Sequence, residues 1–175
     1  MRKLKNSELG RIEIDEFKKT SKTPLIIILD DIRSLNNIGS IFRTSDAFLI
    51  EKIYLCGITA CPPNKDIHKT ALGSTESVDW EYSENIEDLI KNLQKEKIFI
   101  WSVEQADESK KLGDLTISRN IKHALIFGNE VKGVSQSVVN LSNDVIEVPQ
   151  FGTKHSLNVS ICSGILIWEF FKSLS

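Results

Sequence analysis

The stretch DVIEVPQFGTKHSLNVSICSGILIW, residues 144–168, decides the fold prediction because a strand pattern and a helix pattern meet within it. Apolar and charged residues are interspersed from Asp144 to Val148, a pattern that favours a strand. Pro149 ends this strand because proline has no N–H to give to a neighbouring strand. The hydroxyl of Ser156 is predicted to cap the following helix by accepting hydrogen bonds from its first free N–H groups.

The predicted helix has no charged residue from Ser156 to Trp168, and its apolar side chains would cover nearly its whole circumference. A helix that is apolar on all sides is buried, so it must pack against the rest of the fold or against a second subunit. Its first turn carries three small polar residues, Ser156, Asn158 and Ser160. Uncharged polar groups at the start of a helix, just after a strand, are typical of the ligand site in an open α/β sheet.

Strand and helix patterns alternate along the rest of the chain, which predicts one α/β domain over residues 24–175. Its sheet is expected to be mostly parallel with helices on both faces, because a continuous apolar run such as Leu25–Leu29 is typical of a strand buried on both sides. The predicted strands are residues 25–29, 52–56, 77–82, 97–103, 122–127 and 144–148, and the predicted helices are residues 39–48, 66–72, 84–96, 135–141 and 156–171.

Residues 1–23 are predicted to form a basic, helical N-terminal extension, with a helix over residues 4–20 packed on the edge of the domain. Residues 1–24 contain seven basic and four acidic side chains, a net charge of +3, and the whole chain carries −2, so the remainder carries −5. A basic arm on an acidic domain is either an RNA contact or a solvated helix face, and the second is the commoner meaning of such a run.

The composition and the absence of several motifs exclude whole classes of protein. No apolar run reaches the ~18 residues that cross a bilayer, and the N-terminus lacks an apolar signal core, so no membrane contact and a cytoplasmic location are expected. The three cysteines show no C-x-x-C spacing and are interpreted as reduced thiols. The three histidines are far apart, His123 is expected to be structural, and no metal site is predicted. The sequence contains no G-x-G and no P-loop motif.

The segment NNIGSIFR, residues 36–43, is the first cluster that suggests chemistry. Asn37 is predicted to cap the helix that follows, and Gly39 to leave room for a neighbouring backbone or a ligand. Arg43 lies four residues after Gly39, on the same helical face, where its guanidinium could bind a phosphate. The alternative is a capped helix with an ion pair between Arg43 and Asp46, and the spacing alone leaves both open.

The segment FGNEVKGV, residues 127–134, is the second cluster. A predicted strand ends at Gly128, and Glu130 follows in a loop bounded by Gly133. This carboxylate could orient a substrate or neutralise a cation, and the alternative is a turn with a solvated glutamate.

The clusters resemble the three signature motifs of the SpoU–TrmH class of SPOUT RNA ribose methyltransferases, in the same order and with similar spacing. The segments FRTSDAF (42–48) and KTALG (69–73) are also similar to that class, and the resemblance covers roughly residues 24–171. Three separated motifs in the right order are a far more specific match than any one of them. The motifs are Asn37-x-Gly39-x-x-x-Arg43, Phe127-Gly-Asn-Glu130-x-x-Gly133, and Val148-Pro149 with Ser156-Leu-Asn-Val-Ser160.

The resemblance implies an α/β sheet whose C-terminal part forms a deep trefoil knot, an exception to the rule that protein chains do not thread loops. It implies S-adenosylmethionine bound in the knot and a homodimer formed through the C-terminal helix. The residues implied to contact the cofactor are Val103, Gly128, Ile146, Val148, Leu157 and Asn158.

The resemblance also implies a reaction, the transfer of a methyl group to a ribose 2′-hydroxyl of tRNA or rRNA without a metal. The matching polar positions are Asn37, Arg43, Glu130, Ser156 and Asn158, and Arg43 matches the residue assigned to activating the hydroxyl. Two alternatives are a non-catalytic RNA-binding or assembly factor with the same knot, and an enzyme that methylates a base nitrogen. Because only about 23 residues precede the first predicted strand, target choice is expected to rest on the knotted domain, the basic arm or a protein partner.

Overall fold

The structure is a computed structural model that describes the backbone of residues 1–175 and every side chain apart from that of Asn6. Its strands are β1 (Thr23–Asp30), β2 (Ile50–Cys56), β3 (Trp80–Ser83), β4 (Phe99–Val103), β5 (Lys110–Lys111), β6 (His123–Phe127) and β7 (Asp144–Glu147). Its helices are α1 (Ile14–Lys19), α2 (Leu35–Ala47), α3 (Lys65–Ala71), α4 (Ser74–Ser77), α5 (Ile86–Lys95), α6 (Gln136–Leu141) and α7 (Val159–Leu174), with short 3-10 helices at Asn6–Glu8 and Leu112–Asp114.

The seven strands form one sheet in the order β3-β2-β1-β6-β4-β7-β5, and every neighbouring pair runs parallel. The predicted class, α/β with a parallel sheet, is therefore confirmed. In a parallel sheet all strands end at the same edge, so the loops that leave β1, β4, β6 and β7 gather there. The trefoil knot stays a prediction drawn from the family resemblance.

Strand β1 lies inside the sheet and is buried on both faces, as its continuous apolar run predicts. Leu25, Ile27 and Leu29 join one core, which is closed by α2 and α7. Ile26 and Ile28 join a second core on the opposite face, which is closed by α5 and α6. The sheet therefore has helices on both of its faces.

Helix α2 begins four residues earlier than the sequence indicates, at Leu35 rather than Gly39. Its N-cap is Ser34, whose hydroxyl accepts a hydrogen bond from the backbone N–H of Asn37 at 3.3 Å. The prediction that Asn37 caps this helix is therefore wrong. Because Ser34 already supplies the cap, the amide side chain of Asn37 is available for contacts with other segments.

Helix α7 begins at Val159, later than predicted, and its N-cap is Asn158 rather than Ser156. The side-chain oxygen of Asn158 accepts hydrogen bonds from the backbone N–H of Ser160 at 2.9 Å and from its hydroxyl at 2.6 Å. Ser156 lies in the loop that follows β7, so its predicted capping role is wrong. An asparagine is as good a cap as a serine, so residue type alone does not decide between the two positions.

The N-terminal segment contains much less helix than predicted. The helix expected over residues 4–20 is only α1, because Gly10 has a φ of +57°, which no regular helix contains. Phe17 anchors α1 in the core, whereas Leu4 and Ile12 are exposed instead of packed on the domain edge. Strand β1 starts at Thr23, so the segment joins the sheet directly.

Other differences are small. Residues 74–77 form α4, and the third strand is therefore shorter than predicted. The segment predicted as loop between residues 105 and 119 includes the two-residue strand β5. Within the described part of the chain, no helix combines the length and the hydrophobicity that a bilayer span needs.

Candidate active site

A cavity of about 620 Å³ opens at the carboxyl edge of the sheet, between the loops that follow β4, β6 and β7 and the entry to α7. This volume lies within the range of small-molecule and cofactor sites. Five of the six residues predicted to contact a cofactor line it. They are Val103, Gly128, Val148, Leu157 and Asn158.

Ile146 is the predicted cofactor residue that does not line the cavity. Its side chain is fully buried in the core beneath. Its backbone carbonyl accepts a hydrogen bond from the N–H of Glu104 at 3.1 Å, and Glu104 does line the cavity. Ile146 therefore supports the cavity wall instead of forming it.

Gly128 marks the point where β6 gives way to the loop that carries Glu130. The loop turns back on itself, because Gly133 donates from its N–H to the carbonyl of Asn129 at 2.8 Å. A Cβ at position 128 would lie well under 3.0 Å from the backbone of Gly133 and Val134. Only glycine fits here, and the close backbone approach leaves the cavity open beside the strand.

Glu130 joins this loop to the start of α2. Its carboxylate accepts hydrogen bonds from the backbone N–H groups of Arg33 and Ser34, each at 3.0 Å, and from the side-chain amide of Asn37 at 3.1 Å. Burial raises the pKa of Glu130, but these N–H donors outweigh burial, and the net pKa is below the usual range for glutamate. Glu130 is therefore held as an anion: it is exposed in a turn, as the alternative had it, but its carboxylate is engaged by three N–H donors.

Asn37 links Glu130 to the start of α7. Its side-chain oxygen accepts from the amide nitrogen of Asn158 at 3.1 Å, while its own amide nitrogen donates to Glu130. Both ends of each amide are engaged, so the hydrogen bonds fix the amide orientations. Three segments that are far apart in sequence thus meet in one chain of hydrogen bonds, Glu130–Asn37–Asn158, at the side of the cavity.

The remaining two predicted polar residues are placed differently. Ser156 lines the cavity from the loop before α7. Arg43 does not line it: its side chain is exposed on α2, six residues and about 9 Å of helix beyond Asn37. Among the side chains that the structure describes, Arg43 has no hydrogen-bonding or ionic partner. The alternative ion pair between Arg43 and Asp46 is not formed, and Asp46 instead accepts a hydrogen bond from the hydroxyl of Ser77.

Gly39 leaves room for a neighbouring segment, as its sequence position suggested, and that segment is α3. A Cβ there would lie well under 3.0 Å from the hydroxyl of Thr70 and the carbonyl of Ile67, both on α3. Gly39 therefore lets α2 and α3 pack closely, which holds the start of α2 against the fold.

Sequence reasoning missed two polar residues of the site. Asn129 donates from its amide to the carbonyl of Asp31 at 2.7 Å and accepts from the N–H groups of Val131 and Lys132, so it ties the loop to the end of β1. Glu104 follows β4 and accepts from the N–H of Val134 at 2.9 Å. The available signal was position, since Glu104 directly follows β4 and Asn129 follows β6 after Gly128.

His123 and Cys162, interpreted from the sequence as a structural histidine and a reduced thiol, have no catalytic role in this site. The ring of His123 is buried and accepts from the indole N–H of Trp101 at 3.1 Å, and burial lowers its pKa. Cys162 lines the cavity, but burial, with a contribution from Glu104, raises the pKa of its thiol to about 11. The thiol is therefore protonated at neutral pH and is a poor nucleophile.

Comparison with known proteins identifies relatives of this chain. Residues 24–168 match the model of the SpoU rRNA Methylase family. The chain is 32% identical, over 93% of its length and 69% of the relative, to a protein of Borreliella burgdorferi described as an uncharacterized tRNA/rRNA methyltransferase. It is 29% identical, over 93% of its length and 64% of the relative, to the 23S rRNA (guanosine-2′-O-)-methyltransferase RlmB of Vibrio parahaemolyticus. The chain thus spans about two thirds of the length of these relatives.

Solved structures show the same fold. The TrmH/SpoU tRNA modifying enzyme of A. aeolicus superposes with a TM-score of 0.80 at 23% identity, covering 91% of this chain and 81% of that one. An AdoMet-bound rRNA methyltransferase of Sinorhizobium meliloti superposes with a TM-score of 0.80 at 25% identity, covering 91% of this chain and 60% of that one. With the family match over most of the domain, these findings show that the chain belongs to the SpoU rRNA methylase family.

Proposed function

We propose that this protein is an S-adenosylmethionine-dependent RNA methyltransferase that methylates a ribose 2′-hydroxyl of tRNA or rRNA in the cytoplasm. The observation that carries the proposal is the Glu130–Asn37–Asn158 chain of hydrogen bonds at the side of a cofactor-sized cavity. Family membership supports the same reading, as do relatives whose names specify 2′-O-methylation of rRNA.

The cavity fits the proposed cofactor in size and in chemistry. Its volume suits a nucleoside-sized ligand. Val103, Gly128, Val148 and Leu157 would hold the cofactor through backbone groups, since three of them have apolar side chains and the fourth has none. S-adenosylmethionine, when bound, supplies a methyl group that is already electrophilic on its sulfonium.

The chain's own polar groups would position the RNA. A ribose hydroxyl is a poor nucleophile at neutral pH and must lose its proton as it attacks, so its orientation and its surroundings control the rate. Asn37, Ser156 and Asn158 present neutral donors and acceptors for this purpose. Glu130 is engaged by three N–H donors and would keep Asn37 in place.

Arg43 would stabilise the negative charge that develops on the hydroxyl oxygen, or would bind the adjacent phosphate. A guanidinium stays protonated, so the proton of the hydroxyl would leave through that phosphate or through water. Because Arg43 lies outside the cavity of its own chain, we propose that it reaches the cavity of a second subunit.

A homodimer through α7 is consistent with this proposal. Helices α2 and α7 lie side by side, with Asn37 contacting Asn158 near their starts and Phe48 contacting Trp168, ring centroids 5.4 Å apart, near their ends. One face of α7 presents large exposed apolar side chains: Ile161 (58% exposed), Trp168 (47%) and Ile165 (37%). Such a stripe on a helix is typical of a subunit interface. Since a two-fold interface uses the same surface of both subunits, α2 of one would flank the partner.

Transfer of a labelled methyl group from S-adenosylmethionine to purified tRNA and rRNA, followed by nucleoside analysis, tests the reaction. We expect label in 2′-O-methyl nucleosides, at positions that resist alkaline cleavage. Label in a base would indicate a base methyltransferase, and cofactor binding without transfer to any RNA would favour the non-catalytic alternative. Mapping 2′-O-methylation in cells with and without the gene would identify the target nucleotide.

Subunit mixing tests the placement of Arg43. Arg43→Ala and Glu130→Ala are each expected to be inactive as pure dimers while both still bind cofactor. If Arg43 acts on the partner's cavity, mixed dimers should regain up to about half of the activity per site, because one site then has both residues intact. No recovery on mixing would place Arg43 in its own subunit's site.

A further inference from the structure

Glu104 presents a fixed carboxylate to the cavity, outside the Glu130–Asn37–Asn158 chain of hydrogen bonds. It follows β4 directly, and its backbone N–H donates to the carbonyl of Ile146 at 3.1 Å. One carboxylate oxygen accepts from the N–H of Val134 at 2.9 Å and the other from the N–H of Gln105 at 2.8 Å. With both oxygens held by backbone donors, the side chain has little rotational freedom.

The loop after β6, which contains Gly133, packs closely against this carboxylate. Gly133 has a φ of +67°, and a Cβ at this position would lie well under 3.0 Å from an oxygen of Glu104. A side chain at position 133 would therefore be both strained and in collision with the carboxylate. The Glu104 carboxylate thus packs directly on the backbone of the loop that also carries Glu130.

Glu104 differs from the other carboxylates that line the cavity. Glu147 forms an ion pair with Lys111. Glu130 accepts three N–H groups at the start of α2. Glu104 has two backbone donors, and among the side chains described no cation lies within ion-pairing distance of it. Its negative charge is therefore the least compensated one in the cavity wall.

The proposed cofactor and its product differ in charge at the reacting sulfur. The methyl donor carries a sulfonium cation, and removal of the methyl group leaves a neutral thioether. An anion fixed in a partly enclosed cavity stabilises a nearby cation more strongly than it would in open water. A cavity with such an anion would bind the cationic donor more tightly than the neutral product.

We propose that Glu104 is a specificity-determining residue that makes the cavity bind S-adenosylmethionine in preference to S-adenosylhomocysteine. This inference rests on the proposed function. The carboxylate acts through its charge on the ligand, in addition to holding Val134 in place, and it thereby limits inhibition by the product.

Calorimetric titration of both ligands into wild-type protein and Glu104→Gln tests this proposal. We expect the dissociation constant for S-adenosylmethionine to rise about tenfold and that for S-adenosylhomocysteine to change less than about threefold. Sinefungin carries an amine cation near the place of the sulfonium. Its dissociation constant should therefore rise in parallel with that of S-adenosylmethionine. Glu108→Gln, an exposed glutamate in the same segment, is the matched control and should leave the preference unchanged.

A folded Glu104→Gln that keeps the wild-type preference, or that loses both ligands equally, would overturn the charge-selecting role. Wild-type protein that binds neither ligand would instead overturn the proposed function itself, and this inference with it.

Discussion

Asn158 combines two hydrogen-bonding roles in one amide. Its oxygen caps α7 by accepting from Ser160, and its nitrogen donates to Asn37 at 3.1 Å. The first role needs only an acceptor and the second needs a donor, so the two can be separated by substitution.

Asn158→Asp keeps the cap but removes the donor, and it places a negative charge beside the oxygen of Asn37. We expect methyl transfer to fall by about 100-fold, because small displacements in a positioned site cost that much. The free energy of unfolding should fall by only about 1–2 kcal/mol. The activity assay and urea unfolding measure these two quantities.

Asn85→Asp is the matched control for this prediction. Asn85 caps α5 through the same type of side-chain oxygen, which accepts from the N–H groups of Glu87 and Asp88, and it does not line the cavity. Its activity should equal that of the wild type. An Asn158→Asp enzyme with full activity would show that the link to Asn37 is dispensable.

Asp30 gives a prediction for the pH dependence of stability. Burial raises the pKa of this carboxyl to about 6, and the adjacent Asp31 adds to the shift. The folded state therefore binds the Asp30 proton more tightly than the unfolded state, whose pKa is about 3.9. The stability contributed by the protonated group is present below about pH 4 and is lost as the pH rises to about 6.

Asp30→Asn should remove this loss of stability at high pH, because an asparagine side chain does not ionise. We expect the free energy of unfolding to exceed that of the wild type by about 1–2 kcal/mol at pH 8, after allowance for solvent screening, and by almost nothing at pH 4. Urea unfolding at both pH values measures the difference. Asp79→Asn, at an exposed position, is the control and should change the free energy of unfolding by less than about 0.5 kcal/mol. An equal gain at both pH values would contradict the titration of Asp30.

The packing of α2 on α3 gives a prediction that concerns two helices. At Gly39 a methyl group would collide with the hydroxyl of Thr70 and the carbonyl of Ile67 on α3. Gly39→Ala should lower the free energy of unfolding by about 1–3 kcal/mol, because one helix must move, and it should weaken activity by displacing Asn37.

Gly113→Ala is the control for that substitution, since a methyl group at position 113 has nothing within 4 Å. Its stability should stay within about 0.5 kcal/mol of the wild type. Thermal or urea unfolding compares the two. If Gly39→Ala were as stable as Gly113→Ala, the close contact of α2 with α3 would not determine the position of α2.

The exposed face of α7 gives a prediction about assembly. Ile165→Asp and Trp168→Asp place a charge in the apolar stripe, and burying an unpaired charge is unfavourable, so we expect folded monomers of 19.8 kDa or insoluble protein. Light scattering coupled to gel filtration measures the mass. Ile121→Asp is the control, because Ile121 is exposed to the same extent, 37%, but lies outside α7. A dimer that persists in both α7 variants would contradict this interface.

The elements were predictable from the sequence where a local pattern determines them. The apolar run of β1 and the amphipathic pattern of α5 depend only on neighbouring residues, and both were found. The ends of helices were less predictable, because Ser34 and Asn37, or Ser156 and Asn158, are equally suitable caps by residue type. Which one caps is decided by contacts with distant segments, such as that between Asn37 and Glu130.

For the molecule as a whole, the sequence predicted the parallel α/β class but not the order of the strands. Strand β6 lies between β1 and β4, and β7 between β4 and β5. Such an order depends on where each crossover returns, and no local pattern encodes that. Glu104 was missed for the same reason: it becomes part of a site only when β4 and the loop after β6 are adjacent.

A two-dimensional ¹H–¹⁵N NMR titration with S-adenosylmethionine shows whether the methyl donor binds in the cavity beside Asn158. We predict saturable shifts of the backbone amides of Val103, Gly128 and Leu157, with one ligand bound per chain. The indole N–H of Trp80, which lines a separate cleft with Pro63 and His68, should not respond and serves as the internal reference. Shifts confined to Trp80 and its neighbours, or no saturable shift at Gly128 and Leu157, would show that the methyl donor does not bind in this cavity.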